Sequence, residues 1–239
     1  MTLQHQIRAI HLKPATDLAE RVLLPGDPHR ALAVAQHLLD GPKMFNHHRG
    51  LWGYTGIAAD GEPLTVQSTG MGGPSAAIVT EELIALGARR LVRIGTCGAL
   101  VDELTLGQLV AAETVLSADG TSAALGANGS LGSDPALLER LVAAGARPGT
   151  VVSSDLFSDP RPDPAAGWRK RGAIVVEMEA ATILQVAARR GVAAACVVAV
   201  SDVPSPDGAR RIEADELEAA GLRVGEAGYA ALTARAPTR

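Results

Sequence analysis

The chain has 239 residues, of which 20% are charged and 47% hydrophobic, with a net charge of −4. That length allows one large domain, residues 1–239, with a substantial core, and the lack of a long basic run argues against a nucleic-acid partner. No signal-type apolar run opens the sequence, and Val192 to Val200 is too short to span a bilayer, so a soluble cytoplasmic protein without membrane contacts is expected.

Arg21-Val22-Leu23-Leu24 reads as a short strand entering the turn Pro25-Gly26-Asp27-Pro28. Asp27 is placed to cap a helix from Pro28 to about Leu39, with proline in its first turn. Two hairpin-like strands follow near Gly50–Ala58 and Leu64–Thr69, joined by Asp60-Gly61. A glycine-rich turn leads into a helix from about Pro74 to Leu86, with Gly87 as its C-cap. Leu91 to Thr96 is a buried strand, and Val110 to Val115 is the next. Residues 117–133 read as a surface loop. A helix from Pro135 to Ala144 precedes the strand Gly149 to Ser153, and the proline-containing segment to Gly167 reads as loop.

Ala173–Val176 enters Glu177, from which a helix continues to about Arg190. Ala193–Val200 is a buried strand, Val203–Arg211 a loop, and Ile212 to about Thr233 a helix loosened at Gly221, Gly225 and Gly228. Both cysteines, Cys97 and Cys196, lie in apolar runs and read as buried small hydrophobes. Only 3% of residues are aromatic, so Ala, Leu and Val must fill most of the core. Apolar strands bounded by glycine argue for a mostly parallel sheet with helices on both faces. Ligands of such sheets bind beyond the carboxyl ends of strands. Gly26, Gly70, Gly95, Glu177 and Asp202 all follow candidate strands and are expected to converge there.

Three arginines lie close to glycine-rich turns: Arg30, Arg49 and Arg93. Gly26 to Arg30 would place an anion near a helix N-terminus, with a guanidinium fork beside it; a surface ion pair is the plainer reading of Arg30. The run Leu91-Val92-Arg93-Ile94 buries an arginine that needs a counter-charge, either a carboxylate or a bound phosphate helped by the Thr96 hydroxyl. The spacing of a Walker loop is absent, and Gly70-Met71-Gly72-Gly73 is not a dinucleotide fingerprint. Asn46-His47-His48 supplies two adjacent histidines without a third ligand, so no metal is expected. Glu177 and Glu179 suit either helix capping or recognition of a diol. Asp202 suits either a turn cap or a general acid.

Six ordered segments together resemble the trimeric/hexameric nucleoside phosphorylase family, which includes purine nucleoside and uridine phosphorylases. They are Leu24-Pro25-Gly26-Asp27-Pro28-His29-Arg30, Asn46-His47-His48-Arg49-Gly50, Ser68-Thr69-Gly70-Met71-Gly72-Gly73-Pro74-Ser75, Arg93-Ile94-Gly95-Thr96-Cys97-Gly98-Ala99, Val176-Glu177-Met178-Glu179-Ala180-Ala181 and Val200-Ser201-Asp202. The resemblance spans nearly the whole chain. It implies an α/β fold with a central mixed, twisted sheet flanked by helices. It implies reversible phosphorolysis of purine ribonucleosides or deoxyribonucleosides, with inorganic phosphate as co-substrate and no cofactor.

By that resemblance Gly26, Arg30, Arg93 and Thr96 bind phosphate, and Arg49 is contributed by a neighbouring subunit. His11 reaches across the same interface toward the ribose, which Met71, Met178 and Glu179 also contact. Phe157, Val176, Glu177 and Ser201 line the base pocket. Asp202 protonates the purine N7, assisted by an arginine further along, assigned to Arg210. The implied assembly is a homohexamer built as a trimer of dimers. A uridine phosphorylase would carry a Gln/Arg pair after Ser153, where Asp155-Leu156-Phe157-Ser158 supplies none. A non-enzymatic nucleoside-binding protein would leave the phosphate arginines without a task.

Overall fold

Four residues, Arg21–Leu24, form the first strand, β1, and show how the core is divided. Val22 and Leu24 join one hydrophobic cluster and Leu23 another, as the twofold periodicity of a strand requires. The split recurs in the strand Ala193–Ser205, where Cys196, Val198 and Val200 pack on one side and Ala195 and Val197 on the other. Strands buried on both faces need helices on both faces. The computed structural model that shows this describes residues 9–205 and 208–233.

In chain order, β1 is followed by α1 (Pro28–Leu38), β2 (Leu39–Asn46), β3 (Gly53–Ala58), β4 (Pro63–Gln67), α2 (Gly73–Leu86), β5 (Arg90–Ala99) and β6 (Leu109–Ala118). Then come α3 (Gly120–Ala124), β7 (Ser130–Gly132), α4 (Pro135–Ala143), β8 (Arg147–Ser154) and α5 (Ala166–Lys170). The last elements are β9 (Ala173–Glu177), α6 (Ala180–Arg190), β10 (Ala193–Ser205), β11 (Gly208–Arg211) and α7 (Ala214–Leu232).

These strands make one sheet in the order β11-β10-β6-β8-β9-β5-β1-β4-β3-β2, with β7 beside β6 and β10 also paired to β5. That extra pairing closes β5, β10, β6, β8 and β9 into a ring. From it β1, β4, β3 and β2 continue as an open wing. Among the described residues five pairings are parallel and six antiparallel, so the sheet is mixed, not mostly parallel. Helices α2 and α6 pack together on one face, and α1, α4 and α7 on the other. The arrangement is a single α/β domain with a central mixed sheet flanked by helices.

The fold departs from the sequence-based expectation at several points. Strand β2 was not anticipated, because Asp40-Gly41-Pro42-Lys43 breaks its apolar alternation; it pairs with β3 through irregular register. The expected loop 117–133 contains α3 and β7. Helix α6 starts at Ala180, three residues after Glu177. The expected loop Val203–Arg211 is the end of β10 and all of β11, an antiparallel hairpin whose tip, residues 206–207, lies outside the described residues.

Helix α7 is continuous where glycines were expected to loosen it. A Cβ on Gly228 would lie 2.7 Å from Ile94 Cγ2 and 2.9 Å from Leu23 Cδ2, and one on Gly225 would lie 2.9 Å from Val34. Glycine here removes side-chain bulk so that the helix backbone can press onto α1 and the sheet. That close approach matters in a core with few large side chains, where Phe45 is the largest fully buried one.

Candidate active site

The carboxyl-terminal ends of β1, β4, β5, β9 and β10 open onto one cleft of about 700 Å³. Strands β5 and β9 cross antiparallel at Gly98 and Val176, so their two carboxyl ends meet although they belong to oppositely running parts of the sheet. Of the residues singled out in the sequence, Gly26, Arg30, Met71, Arg93, Thr96, Phe157, Val176, Glu177, Met178, Glu179, Ser201 and Asp202 line this cleft. Arg49, His11 and Arg210 do not.

Arg93 is the centre of one end. It is only 3% exposed, yet its strand runs through the middle of the sheet. Its Nε donates to Glu177 Oε2 at 2.7 Å, and its Nη2 lies 2.5 Å from Glu179 Oε2. Its Nη1 is buried and has no hydrogen-bond partner among the described residues. Burial alone would lower the pKa of this guanidinium; Glu179 and then Glu177 reverse that and hold it above its ordinary value. The guanidinium lies flat on Gly95, where a Cβ would come within 2.7 Å of Nη2. Only glycine leaves that space.

Arg30 stands opposite, half-buried on the first turn of α1 and close to Gly221 of α7. Burial lowers its pKa, Asp27 opposes this, and the nearby charge of Arg93 adds to it. Two guanidiniums facing one space favour an anion there. The α1 N-terminus itself is capped by its own chain: Asp27 accepts from the backbone of His29 at 3.0 Å and Arg30 at 3.3 Å. Attraction for an anion here would therefore come from the arginines more than from the helix end.

Glu179 links this end to the middle of the cleft. Its Oε1 accepts from Gly72 N–H at 2.6 Å while Oε2 pairs with Arg93. Burial raises its pKa, against the pull of Arg93. Met71 and Phe157, 85% and 74% exposed, stand on the rim.

Glu177 lines the cleft with Phe157 and Val176, but its side chain is already engaged within the protein. The carboxylate is fully buried and already accepts from Arg93, from the Ser153 hydroxyl, and from the backbone of Glu179 at 2.9 Å and Ala180 at 3.0 Å. No lone pair is left over for a ligand, and β9 turns this side chain toward β5 and β8.

At the far end Ser201 donates to Asp202 Oδ2 at 2.7 Å, and Arg211 Nε pairs with Asp202 Oδ1 at 2.7 Å. The Arg211 guanidinium also lies 5.4 Å from the centre of the Phe157 ring, a cation–π distance. Arg210, the arginine assigned to Asp202 from the sequence, is corrected to Arg211. In the β10–β11 hairpin Asp202 stands opposite Arg211, whereas Arg210 stands opposite Val203 and lines a separate groove with Asp102 and Thr105. Adjacent strand residues face opposite ways, so one step in register decides which arginine serves the cleft.

Arg49 and His11 lie away from the cleft, Arg49 exposed and His11 half-buried. Arg49 is exposed in a tight turn, with φ 58°. The residues around His11 are tied down by Glu82 of α2, which accepts from the backbone of Ile10, His11 and Leu12 and from His11 Nδ1 at 2.6 Å. Burial would raise the Glu82 carboxyl; the donors from Leu12, His11 and Ile10 outweigh it and leave its pKa lowered. A carboxyl depressed on folding stabilises above its unfolded pKa of about 4.3 and loses that contribution as pH falls through the folded value. Residues 10–12 are therefore expected to be anchored at neutral pH and released in acid, below the ordinary carboxylate range. Glu82→Gln should mimic the release at pH 7, read as faster amide exchange in a peptide covering these residues; unchanged exchange would refute the anchor.

The sequence carries no signal that selects Arg211 over its neighbour Arg210, or that marks Ser153 and Glu82. Glu82 carries no spacing signal, because its partners lie about 70 residues away.

The sequence profile of the phosphorylase superfamily matches residues 20–234. A DeoD-type purine nucleoside phosphorylase of Caldanaerobacter subterraneus subsp. tengcongensis is 38% identical over 196 residues, covering 78% of this chain and 84% of the relative. One from Jannaschia sp. is 37% identical over 203 residues, covering 81% and 86%. Another, from Clostridium beijerinckii, is 36% identical over 205 residues with the same coverage.

Proposed function

We propose, from the premise that this chain belongs to the phosphorylase superfamily, that it catalyses the reversible phosphorolysis of purine nucleosides. The observation that carries the reading is the buried, unpartnered Nη1 of Arg93, set in one cleft with Arg30, Glu179 and Asp202. A buried N–H with nothing to donate to is costly unless a ligand completes it. Phosphate supplies the acceptor.

In this reading Arg30, Arg93, Thr96 and the backbone at Gly26 hold phosphate, and Glu179, still paired with Arg93, accepts from the 2′ and 3′ hydroxyls. Met71 and Met178 pack on the sugar. Phe157, Val176 and Ser201 form the base wall. A phosphate oxygen attacks C1′ as the bond to the purine breaks, and that bonding pair leaves with the base. Asp202, which first takes up a proton from solvent, passes it to N7, so the purine departs neutral. Arg211 then stabilises the carboxylate left behind. Held phosphate is both oriented and placed to offset positive charge on the sugar in the transition state. The products are a free purine and α-(deoxy)ribose 1-phosphate.

Arg30 and Arg93 are balanced by Glu177 and Glu179, so one protomer offers phosphate no net positive charge from these four groups. A further cation is needed, and Arg49 of a neighbouring copy fills that role, with His11 reaching the neighbour's ribose from the same surface. The assembly we propose is a hexamer made of three dimers, acting in cytoplasmic purine salvage.

The test is to incubate inosine, adenosine, uridine and methylthioadenosine separately, with and without phosphate. Base release from the purine nucleosides is expected only with phosphate. Release without phosphate would mean hydrolysis, turnover of uridine alone would mean a uridine phosphorylase, and binding without turnover would mean a nucleoside-binding protein.

A further inference from the structure

The guanidinium of Arg93 is rigid and planar, so fixing two of its nitrogens fixes the third. Nε is held by Glu177 and Nη2 by Glu179, and Gly95 closes off one face. What remains, Nη1, is buried beside the cleft-lining Gly26, where a Cβ would stand 3.9 Å from it. The direction of that nitrogen therefore depends on how firmly Glu177 is held.

Glu177 is held from behind. Its register partner on β8 is Ser153, whose hydroxyl donates to Glu177 Oε1. Ser153 Oγ in turn accepts from Ala181 N–H at 2.8 Å. Both side chains are buried, and the four groups that meet the Glu177 carboxylate are all donors. Strand β8, strand β9 and the start of α6 are thus joined through one hydroxyl and one carboxylate to a single arginine on β5.

We infer that Ser153 and Glu177 are positioning residues for phosphate: they touch no substrate, and they aim Arg93 Nη1 into the phosphate subsite. The inference rests on the phosphorolytic reading of the cleft. It also accounts for a buried glutamate beside an anion site, which would otherwise oppose binding. Its charge is spent on Arg93 and on backbone N–H groups, and its service is orientation.

Ser153→Ala removes one donor from Glu177 without adding volume. In the intact oligomer, the phosphate Kd measured by calorimetry is expected to rise at least tenfold. The Kd for inosine, measured alone, is expected to stay within threefold. In steady state the KM for phosphate should rise far more than the KM for inosine. Ser153→Thr keeps the hydroxyl and should hold the phosphate Kd within threefold of wild type. Glu177→Gln places an amide N–H₂ among donors and should also weaken phosphate binding at least tenfold. A merely structural role would shift both ligands together or neither. The inference is overturned if Ser153→Ala leaves the phosphate Kd within twofold of wild type, or weakens both ligands equally. Wild-type protein that binds no phosphate would instead overturn the phosphorolytic reading, and this inference with it.

Discussion

Arg93→Met is expected to lower kcat/KM for phosphorolysis by about 10³-fold and to lower the melting temperature by roughly 10 °C. The two effects have separate causes. In the proposed reaction Arg93 supplies its unpartnered Nη1 to phosphate, and losing one such donor at a charged transition state typically costs ~10²- to 10³-fold. Its removal also leaves Glu177 and Glu179 buried without their shared cation, facing an incoming dianion. Repulsion then adds to lost attraction and takes the loss to the upper end. For folding, deleting one partner of a buried ion pair costs about 3–5 kcal/mol, since the remaining charge stays buried. The double variant Arg93→Met with Glu177→Gln separates the causes. It should regain much of the melting temperature and none of the phosphate use, a non-additivity expected of residues in one network. Single-variant activity within tenfold of wild type would remove Arg93 from the phosphate site.

The part of this site that was legible in the sequence is the part carried by chain-local chemistry. A charged residue inside an apolar run, as in Leu91-Val92-Arg93-Ile94, has to be compensated, and the run itself does not choose between carboxylate and phosphate. The geometry contains both possibilities at once: two nitrogens are taken by carboxylates and one is open. Convergence of strand ends was legible because glycines punctuate the apolar runs. What was not legible depends on pairing across the sheet. Glu177 reads as a cleft residue from its motif, and only its neighbours Ser153 on β8 and Arg93 on β5 show that the carboxylate faces inward. Glycines of α7 look like breaks because a missing side chain does not reveal what presses against it. The apolar runs alone point to a mostly parallel sheet, and only the family resemblance implies a mixed one: a fully buried strand has the same apolar pattern whether its neighbours run with it or against it.

Asp202→Asn is expected to reduce kcat for adenosine by about 10²- to 10³-fold and that for inosine much less. Asparagine keeps the size and one hydrogen bond toward N7 but has no proton to give. A 6-oxopurine spreads the departing electron pair onto its carbonyl, whereas a 6-aminopurine needs the proton more. Equal rates for variant and wild type on adenosine would remove Asp202 from proton transfer. Arg211 should matter less and more generally. Its side chain is 64% exposed, so its pairing with Asp202 is screened by water, and Arg211→Ala is expected to cost about two- to fivefold, within the ordinary worth of an exposed charged contact. Arg211→Lys should not restore the rate, because an ammonium cannot hold Asp202 through a planar edge while stacking on Phe157. Arg210→Ala supplies the control, since that side chain belongs to the opposite side of the hairpin. Should Arg210→Ala prove as damaging as Arg211→Ala, the register of β10 against β11 would be wrong by one residue, and with it the identity of the arginine that stabilises the Asp202 carboxylate.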